Sequence, residues 1–322
     1  MNKPKVLISR RWPASVEAQL QKLYDVSLNL NDTPLSADEF KLALQNFDAV
    51  CPTVCDSLPA EVLKVPNKRC RFLGNFGVGY NHIDVEAARS EGLVVSNTPG
   101  VLTESTADIA MTLLLMSARR GAEGDRLVRA NRWQGWCPTH MMSSDVTGAT
   151  LGLIGFGRIA QAMARKAHHG FGMKILYTKP TPADPAVVED LHAEACGIEE
   201  LLSRCDYVSL HCPGGASTRH LINSERLKLM KPTAHLINTA RGDVVDSQAL
   251  IDALKNRTIA GAGLDVYEGE PDIHPGFIEL ENVSLLPHLG SATIATRTAM
   301  GEKVLANLNA FFAGQEPPDR VI

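Results

Sequence analysis

Short β-branched runs alternate with segments of helical periodicity from the first residues onward. That alternation restricts the chain to parallel sheets joined by crossover helices. KVLIS, VSLNL, DAVCP, RFLGNF and LVVSN read as strands, with helical patterns at Ala14 to Tyr24 and Ser36 to Gln45. The rhythm runs to about Pro99, and a helix is expected to open at Thr103, a suitable N-cap with Glu104 in its first turn, and to continue to Gly121. A second series comes next at TLGLIGFG, MKILYT, DYVSLHCP, AHLINTA, IAGAGLDV and NVSLLPH. The tail from Ser291 to Phe312 then carries Ala295, Met300, Val304, Leu308 and Phe311 at helical spacing, as one long helix returning to the first domain. Two such series in 322 residues exceed one ordinary core. The expected fold is α/β with two parallel-sheet domains: a discontinuous one of residues 1–100 and 290–322, and an inserted one of residues 101–289.

Composition narrows the function classes. Hydrophobic residues make up 44% and charged residues 21%, as in a folded globular protein. A net charge of −4 without a basic run argues against nucleic acid as a partner. The longest apolar stretch, Ile109 to Met116, is far short of a bilayer span, and Val6 to Ile8 is too short for a signal peptide, so a cytoplasmic protein with no membrane partner is expected. Seven scattered cysteines suit a reducing compartment. Cys51 and Cys55 lack a second pair or a nearby histidine, so they are expected to be buried thiols and no metal site is expected. From Arg126 to Thr147 periodicity fades, and the stretch WQGWCPTHMMSSDV, with Trp133 and Trp136, reads as a local cover or as an arm packing on another subunit.

The segment TLGLIGFGRIA places Gly155, Gly157 and Ala160 in the order G-x-G-x-x-A between a strand and a helix. The first glycine permits a tight turn, the second admits a pyrophosphate to the backbone, and the small third residue lets helix and strand close. This is the pattern of a Rossmann-like dinucleotide domain. A carboxylate about 20 residues on usually takes the ribose 2′-hydroxyl of NAD, but here the strand MKILYT is followed by Lys179. A cation there suits the 2′-phosphate of NADP; the alternative is a solvated surface lysine.

Three polar residues fall at strand ends, the edge where open α/β sheets bind ligands: Arg241 after AHLINTA, Glu270 in GLDVYEGEP, and His288 after NVSLLP. Reduction of a keto acid needs a cation for its oxygens and an acid for the carbonyl, which Arg241 and His288 can supply while Glu270 orients the imidazole.

Together, GFGRIA, SLHCP, INTARG, AGAGLDVYEGEP and LLPHLGSAT resemble the D-isomer-specific 2-hydroxyacid dehydrogenase family. FGVGYNHIDVEAA and NTPGVLTESTADIAMTLLL match its substrate loop and bridging helix, so the likeness covers nearly the whole chain. Within the family the pattern is most similar to the glyoxylate and hydroxypyruvate reductases. The resemblance implies two Rossmann-like domains, the discontinuous one flavodoxin-like and substrate-binding and the inserted one NAD(P)-binding. It implies reduction of glyoxylate or hydroxypyruvate to the D-2-hydroxy acid; Lys179 leads to the expectation that NADP(H) is preferred with NAD(H) possible, and a homodimer is expected on the bridging helix and the segment Arg126 to Val146. It further implies Arg241, Glu270 and His288 as the catalytic set, and Thr53, Val78, Gly79 and Arg241 around the substrate. Thr106, Gly155, Gly157, Arg158, Ile159, Lys179, Cys212, Pro213, Ala240, Asp265 and Gly290 would bind the cofactor. Formate dehydrogenases resemble the family but carry Gln where Glu270 stands. One departure is His140, after Trp136-Cys137-Pro138-Thr139, where related reductases carry an aromatic, and this leaves fine specificity open. The competing readings are a same-family enzyme for another keto acid, such as 2-ketogluconate, and a non-catalytic NAD(P)-sensing protein like corepressors of this fold.

Overall fold

A computed structural model describes residues 3–322. The chain divides into two compact units, one comprising residues up to Leu102 together with Ala292–Ile322, the other Thr103–Ser291. Each junction lies two residues beyond the boundary drawn from the sequence, because the first break falls where a helix begins, at Thr103.

In the first unit five short strands form one parallel sheet: β1 (Lys5–Ile8), β2 (Asp25–Leu28), β3 (Ala49–Cys51), β4 (Phe72–Gly74) and β5 (Val94–Ser96). Their order is β2-β1-β3-β4-β5. The last helix, Ile294–Phe312, returns to this sheet, where the Phe311 ring lies 4.9 Å from that of Phe72 and Asn309 accepts the Tyr24 hydroxyl at 2.6 Å. Thr293 caps that helix and its buried side starts at Thr296, so Ala295, expected on the apolar stripe, is exposed. Cys51 is buried but Cys55 is exposed, which corrects the expectation of two buried thiols; the loop after β3 turns Cys55 out to solvent.

The second unit holds seven parallel strands: β6 (Thr150–Ile154), β7 (Lys174–Thr178), β8 (Glu194–Ala195), β9 (Tyr207–Leu210), β10 (His235–Asn238), β11 (Gly261–Leu264) and β12 (Val283–Leu285). Their order, β12-β11-β10-β9-β6-β7-β8, reverses between β6 and β9, which is the switch point where doubly wound sheets take their ligands. Helices cover both faces, so the central strands are buried on both sides and read as continuous apolar runs. The helix Thr103–Ala118 packs against Arg158–Phe171 and against β10 and β11, and most of its surface is core.

That helix ends at Ala118 instead of reaching Gly121. Arg120 adopts a left-handed conformation (φ 54°), and a separate helix, Gly121–Arg129, begins there. This second helix buries no residue, and its large apolar side chains are only Leu127 and Val128. Ion pairs of Arg120 with Glu123, Arg129 with Asp125 and Arg126 with Glu281 line it instead. Among the described residues no helix is long and apolar enough to cross a membrane, and no cluster of three or more His, Cys, Asp or Glu could hold a metal ion.

Residues 130–149 form neither helix nor strand, and a buried histidine is one of the groups that tie them to the sheet. His235 lies between Ser117 Oγ (2.8 Å from Nδ1) and Ser144 Oγ (3.2 Å from Nε2), with its ring stacked on Tyr207, whose hydroxyl donates to Asp145 O. A serine hydroxyl can donate or accept, so either neutral tautomer is satisfied. Burial pushes the imidazole down to about 4 from an ordinary 6.5. The unfolded chain therefore binds a proton that the folded chain refuses. This contribution to stability is complete above pH 6.5 and is lost as pH falls toward 4. One such group accounts for about 3 kcal/mol over that window. Thermal unfolding of wild type and His235→Gln measured from pH 7.5 to 4.5 should show a steeper acid decline in wild type; parallel declines would remove His235 as a source of acid sensitivity.

Candidate active site

Arg241 stands just beyond β10, and its turn is shaped by the strand's last residue. The buried Asn238 side chain donates from Nδ2 to Arg241 O at 2.9 Å and accepts the Ala240 amide at 3.0 Å. The Arg241 guanidinium donates to Ala240 O at 2.7 Å. At the next position, Gly242, only glycine fits: an added Cβ would lie 1.8 Å from the carbonyl carbon of Tyr267 and 2.2 Å from Glu268 N. The Arg241 turn is thus pressed against the turn that carries Glu270.

Beyond β11, the chain forms that second turn. Tyr267 N donates to Glu270 Oε1 at 2.8 Å, and the Tyr267 hydroxyl reaches Leu264 O and Leu286 O, joining the ends of β11 and β12. The other carboxylate oxygen, Glu270 Oε2, accepts from His288 Nδ1 at 2.8 Å. Burial raises the Glu270 carboxyl, but the hydrogen bond and charge of His288, the Tyr267 amide and the Arg241 charge outweigh it, and the net shift is downward. At neutral pH the group is a carboxylate and Nδ1 is the donor.

His288 itself has φ 56°, a left-handed conformation uncommon for a residue with a Cβ. The next two residues are clamped from two sides. Asp265, almost wholly buried, accepts the amides of Leu289 and Gly290 at 2.7 and 2.8 Å, and Thr106 Oγ1 donates to Gly290 O at 3.1 Å. Burial raises the Asp265 carboxyl, against the opposing effect of those two amides and of His288. Asp265 and Thr106 therefore act on the His288 loop itself. Thr106 does not cap its own helix.

At the β6–β9 switch point the glycine turn has the shape a pyrophosphate requires. Gly155 is left-handed (φ 88°), and a Cβ there would fall 2.8 Å from the backbone of His211 and Cys212. A Cβ on Gly157 would meet nothing within 4 Å, which is the open side that lets an anion approach. Gly157 begins the helix Arg158–Phe171 without a side-chain cap, so the first amides are not satisfied by a side chain of the cap residue. Arg158 is exposed, Ile159 half-buried and Ala160 buried; Cys212, whose thiol is pushed up to about 11 by burial, and Pro213 come after β9 beside Gly155. Lys179 directly follows β7, with Nζ 3.4 Å from Pro182 O.

Thr53, Val78 and Gly79 belong to the first unit. Thr53 lies just past β3, with its amide bonded to Asp56 Oδ2 at 2.7 Å, and it bridges to Phe76, two residues before Val78. Asn238 and Tyr267 are not among the residues to which the sequence motifs point. Asn238 ends a strand directly after the apolar Leu236 and Ile237, and a polar residue at that place is the available signal.

Comparison with known proteins finds relatives over nearly the whole chain. The family model described as "D-isomer specific 2-hydroxyacid dehydrogenase, NAD binding domain" matches residues 111–290. The chain is 45% identical over 323 aligned residues to a glyoxylate reductase of Thermococcus onnurineus, covering 99% of this chain and 96% of that one. It is similar to a solved glyoxylate reductase from Paecilomyes thermophila, with TM-score 0.88, 30% identity and coverage of 100% and 99%. It is also similar to an NADPH-dependent glyoxylate/hydroxypyruvate reductase from Sinorhizobium meliloti, solved with NADP and malonate, with TM-score 0.87, 34% identity and coverage of 99% and 97%.

Proposed function

The chain belongs to the D-isomer-specific 2-hydroxyacid dehydrogenase family, and from that premise we propose that it reduces glyoxylate or hydroxypyruvate to the D-2-hydroxy acid, with His288 as the acid. The observation that carries the reading is the 2.8 Å bond between His288 Nδ1 and Glu270, with the Arg241 charge acting on the same carboxylate. Bound nicotinamide supplies the hydride. The turn from Gly155 to Ile159, with Cys212, Pro213, Ala240 and Lys179, holds the cofactor, and the open side of Gly157 fits its pyrophosphate.

Glu270 engages Nδ1, so Nε2 is the nitrogen that gives a proton to the carbonyl oxygen as the alcohol forms. Arg241 supplies a planar donor fork to the substrate carboxylate and carbonyl, and the amides of Val78 and Gly79, with Thr53, also serve to bind the substrate. In the reverse direction His288 takes the alcohol proton back. Steady-state assays with glyoxylate, hydroxypyruvate, pyruvate and 2-ketogluconate identify the substrate. His288→Ala should lower kcat by about 10²–10⁴, the usual contribution of a positioned acid, while NADPH titration is unchanged. A loss under about tenfold would remove His288 from the chemistry.

Lys179 sets the nucleotide preference. A 2′-phosphate carries about −1.5 to −2 charges, which a lysine attracts and an aspartate repels. NADPH should be preferred over NADH by about ten- to thirtyfold in kcat/KM, the range expected of one solvent-screened pair. Lys179→Asp should reverse that order. Equal use of the two nucleotides by wild type, unchanged by the substitution, would make Lys179 an ordinary surface residue.

A second copy of the chain covers the irregular segment. Val128, Trp133, Trp136 and Met142 are all exposed, Trp136 at 81%, and large apolar side chains exposed within one stretch of chain suit an interface. Light scattering at micromolar concentration should give a dimer, and Trp136→Glu with Met142→Glu a monomer. A monomeric wild type would contradict the assignment.

A further inference from the structure

In the loop bearing Val78 and Gly79, the carbonyls are tied down and the amides are not. Beyond β4 the chain runs through Asn75, Phe76, Gly77, Val78 and Gly79. Asn75 is fully buried, and its Nδ2 donates to Gly77 O and to Gly79 O, both at 3.0 Å, so both amide hydrogens are used. Gly77 O also accepts the Thr98 amide at 3.1 Å. The carbonyl between them, Val78 O, accepts from Asn97 Nδ2 at 2.8 Å. Among the described residues the amides of Val78 and Gly79 have no acceptor.

A peptide unit is planar, and its C=O and N–H point in opposite directions. Holding Gly77 O inward therefore turns Val78 N–H outward, and holding Val78 O inward does the same for Gly79 N–H. Two adjacent outward amides make a small concave anion site, provided the carbonyls cannot rotate into it. Asn75 is itself locked. His82 Nε2 lies 3.0 Å from Asn75 Oδ1, and since the Nδ2 end is committed to two carbonyls, the histidine donates and the amide has one orientation. Gly77 is pressed so closely on Val54 that a Cβ would lie 2.4 Å from its Cγ1, which joins this loop to the one bearing Thr53.

We propose that Asn75 and Asn97 are positioning residues for the substrate carboxylate: they hold three successive carbonyls inward so that the amides of Val78 and Gly79 face the acid. Neither side chain touches the substrate. The inference rests on the reading of this chain as a 2-keto acid reductase.

Asn75→Asp keeps the size of the side chain and removes both donors, setting a carboxylate against two carbonyls. Asn97→Ala removes one donor and serves if the first variant does not fold. For wild type and both variants, the measurements are KM and kcat for glyoxylate with NADPH, the Kd of oxalate by calorimetry with NADPH bound, and the Kd of NADPH. Both variants should raise KM and the oxalate Kd, by about tenfold for Asn75→Asp and less for Asn97→Ala, the scale of one charge-assisted hydrogen bond. The kcat and the NADPH Kd should stay within about threefold of wild type, as for a group that acts on substrate binding alone. Lower kcat with unchanged KM and oxalate Kd would mean a purely structural role and overturn the proposal. A wild type that binds oxalate without reducing glyoxylate would end the reaction reading, and the oxalate ratios alone would then decide the role of Asn75 and Asn97. A wild type that binds no oxalate would overturn the inference.

Discussion

Gly242 and the Tyr267–Glu268 peptide are in backbone-to-backbone contact, closer than any side chain would allow. Through that contact two turns from neighbouring strands, β10 and β11, become one surface, and the Arg241 charge comes to act on the Glu270 carboxylate. The third turn, after β12, is joined to it by the Tyr267 hydroxyl on Leu286 O and by Asp265 on the amides of Leu289 and Gly290. His288 is thereby fixed in a left-handed backbone conformation that a free loop would rarely adopt. Three strand ends thus deliver a cation, a carboxylate and an imidazole to one place, each oriented by hydrogen bonds within or between their turns.

The same device recurs in the first unit with a different chemical result. Asn75 and Asn97 bind carbonyls and leave amides outward, whereas Asp265 binds amides and Thr106 a carbonyl to fix the loop carrying the imidazole. In both cases a buried or half-buried side chain determines which backbone groups are held and which point outward.

Much of this was legible in the sequence because it depends on local pattern. Strand and helix alternation predicted parallel sheets, and placing Arg241, Glu270 and His288 at strand ends required only the period of the apolar runs. The glycine turn was legible because its residues are consecutive. What escaped depends on contacts between distant residues or on elements that bury nothing. The helix Gly121–Arg129 buries nothing, and β8 is two residues at a sheet edge. Asn238, Asn75 and Tyr267 act on backbone atoms whose positions only the fold supplies. Cys55 faces solvent while Cys51 is buried because the chain leaves β3 between them, a change of direction that composition does not encode.

If Glu270 serves the chemistry only by holding and charging His288, the two residues form one functional unit, and that is what a double-mutant cycle measures. The quantity is kcat/KM for glyoxylate in wild type, Glu270→Gln, His288→Asn and the double variant. The double variant should lose no more than about the larger single loss, because removing either partner already disables the pair. Single losses that multiply in the double variant would show the two residues acting independently and would contradict the 2.8 Å pair as the centre of the site.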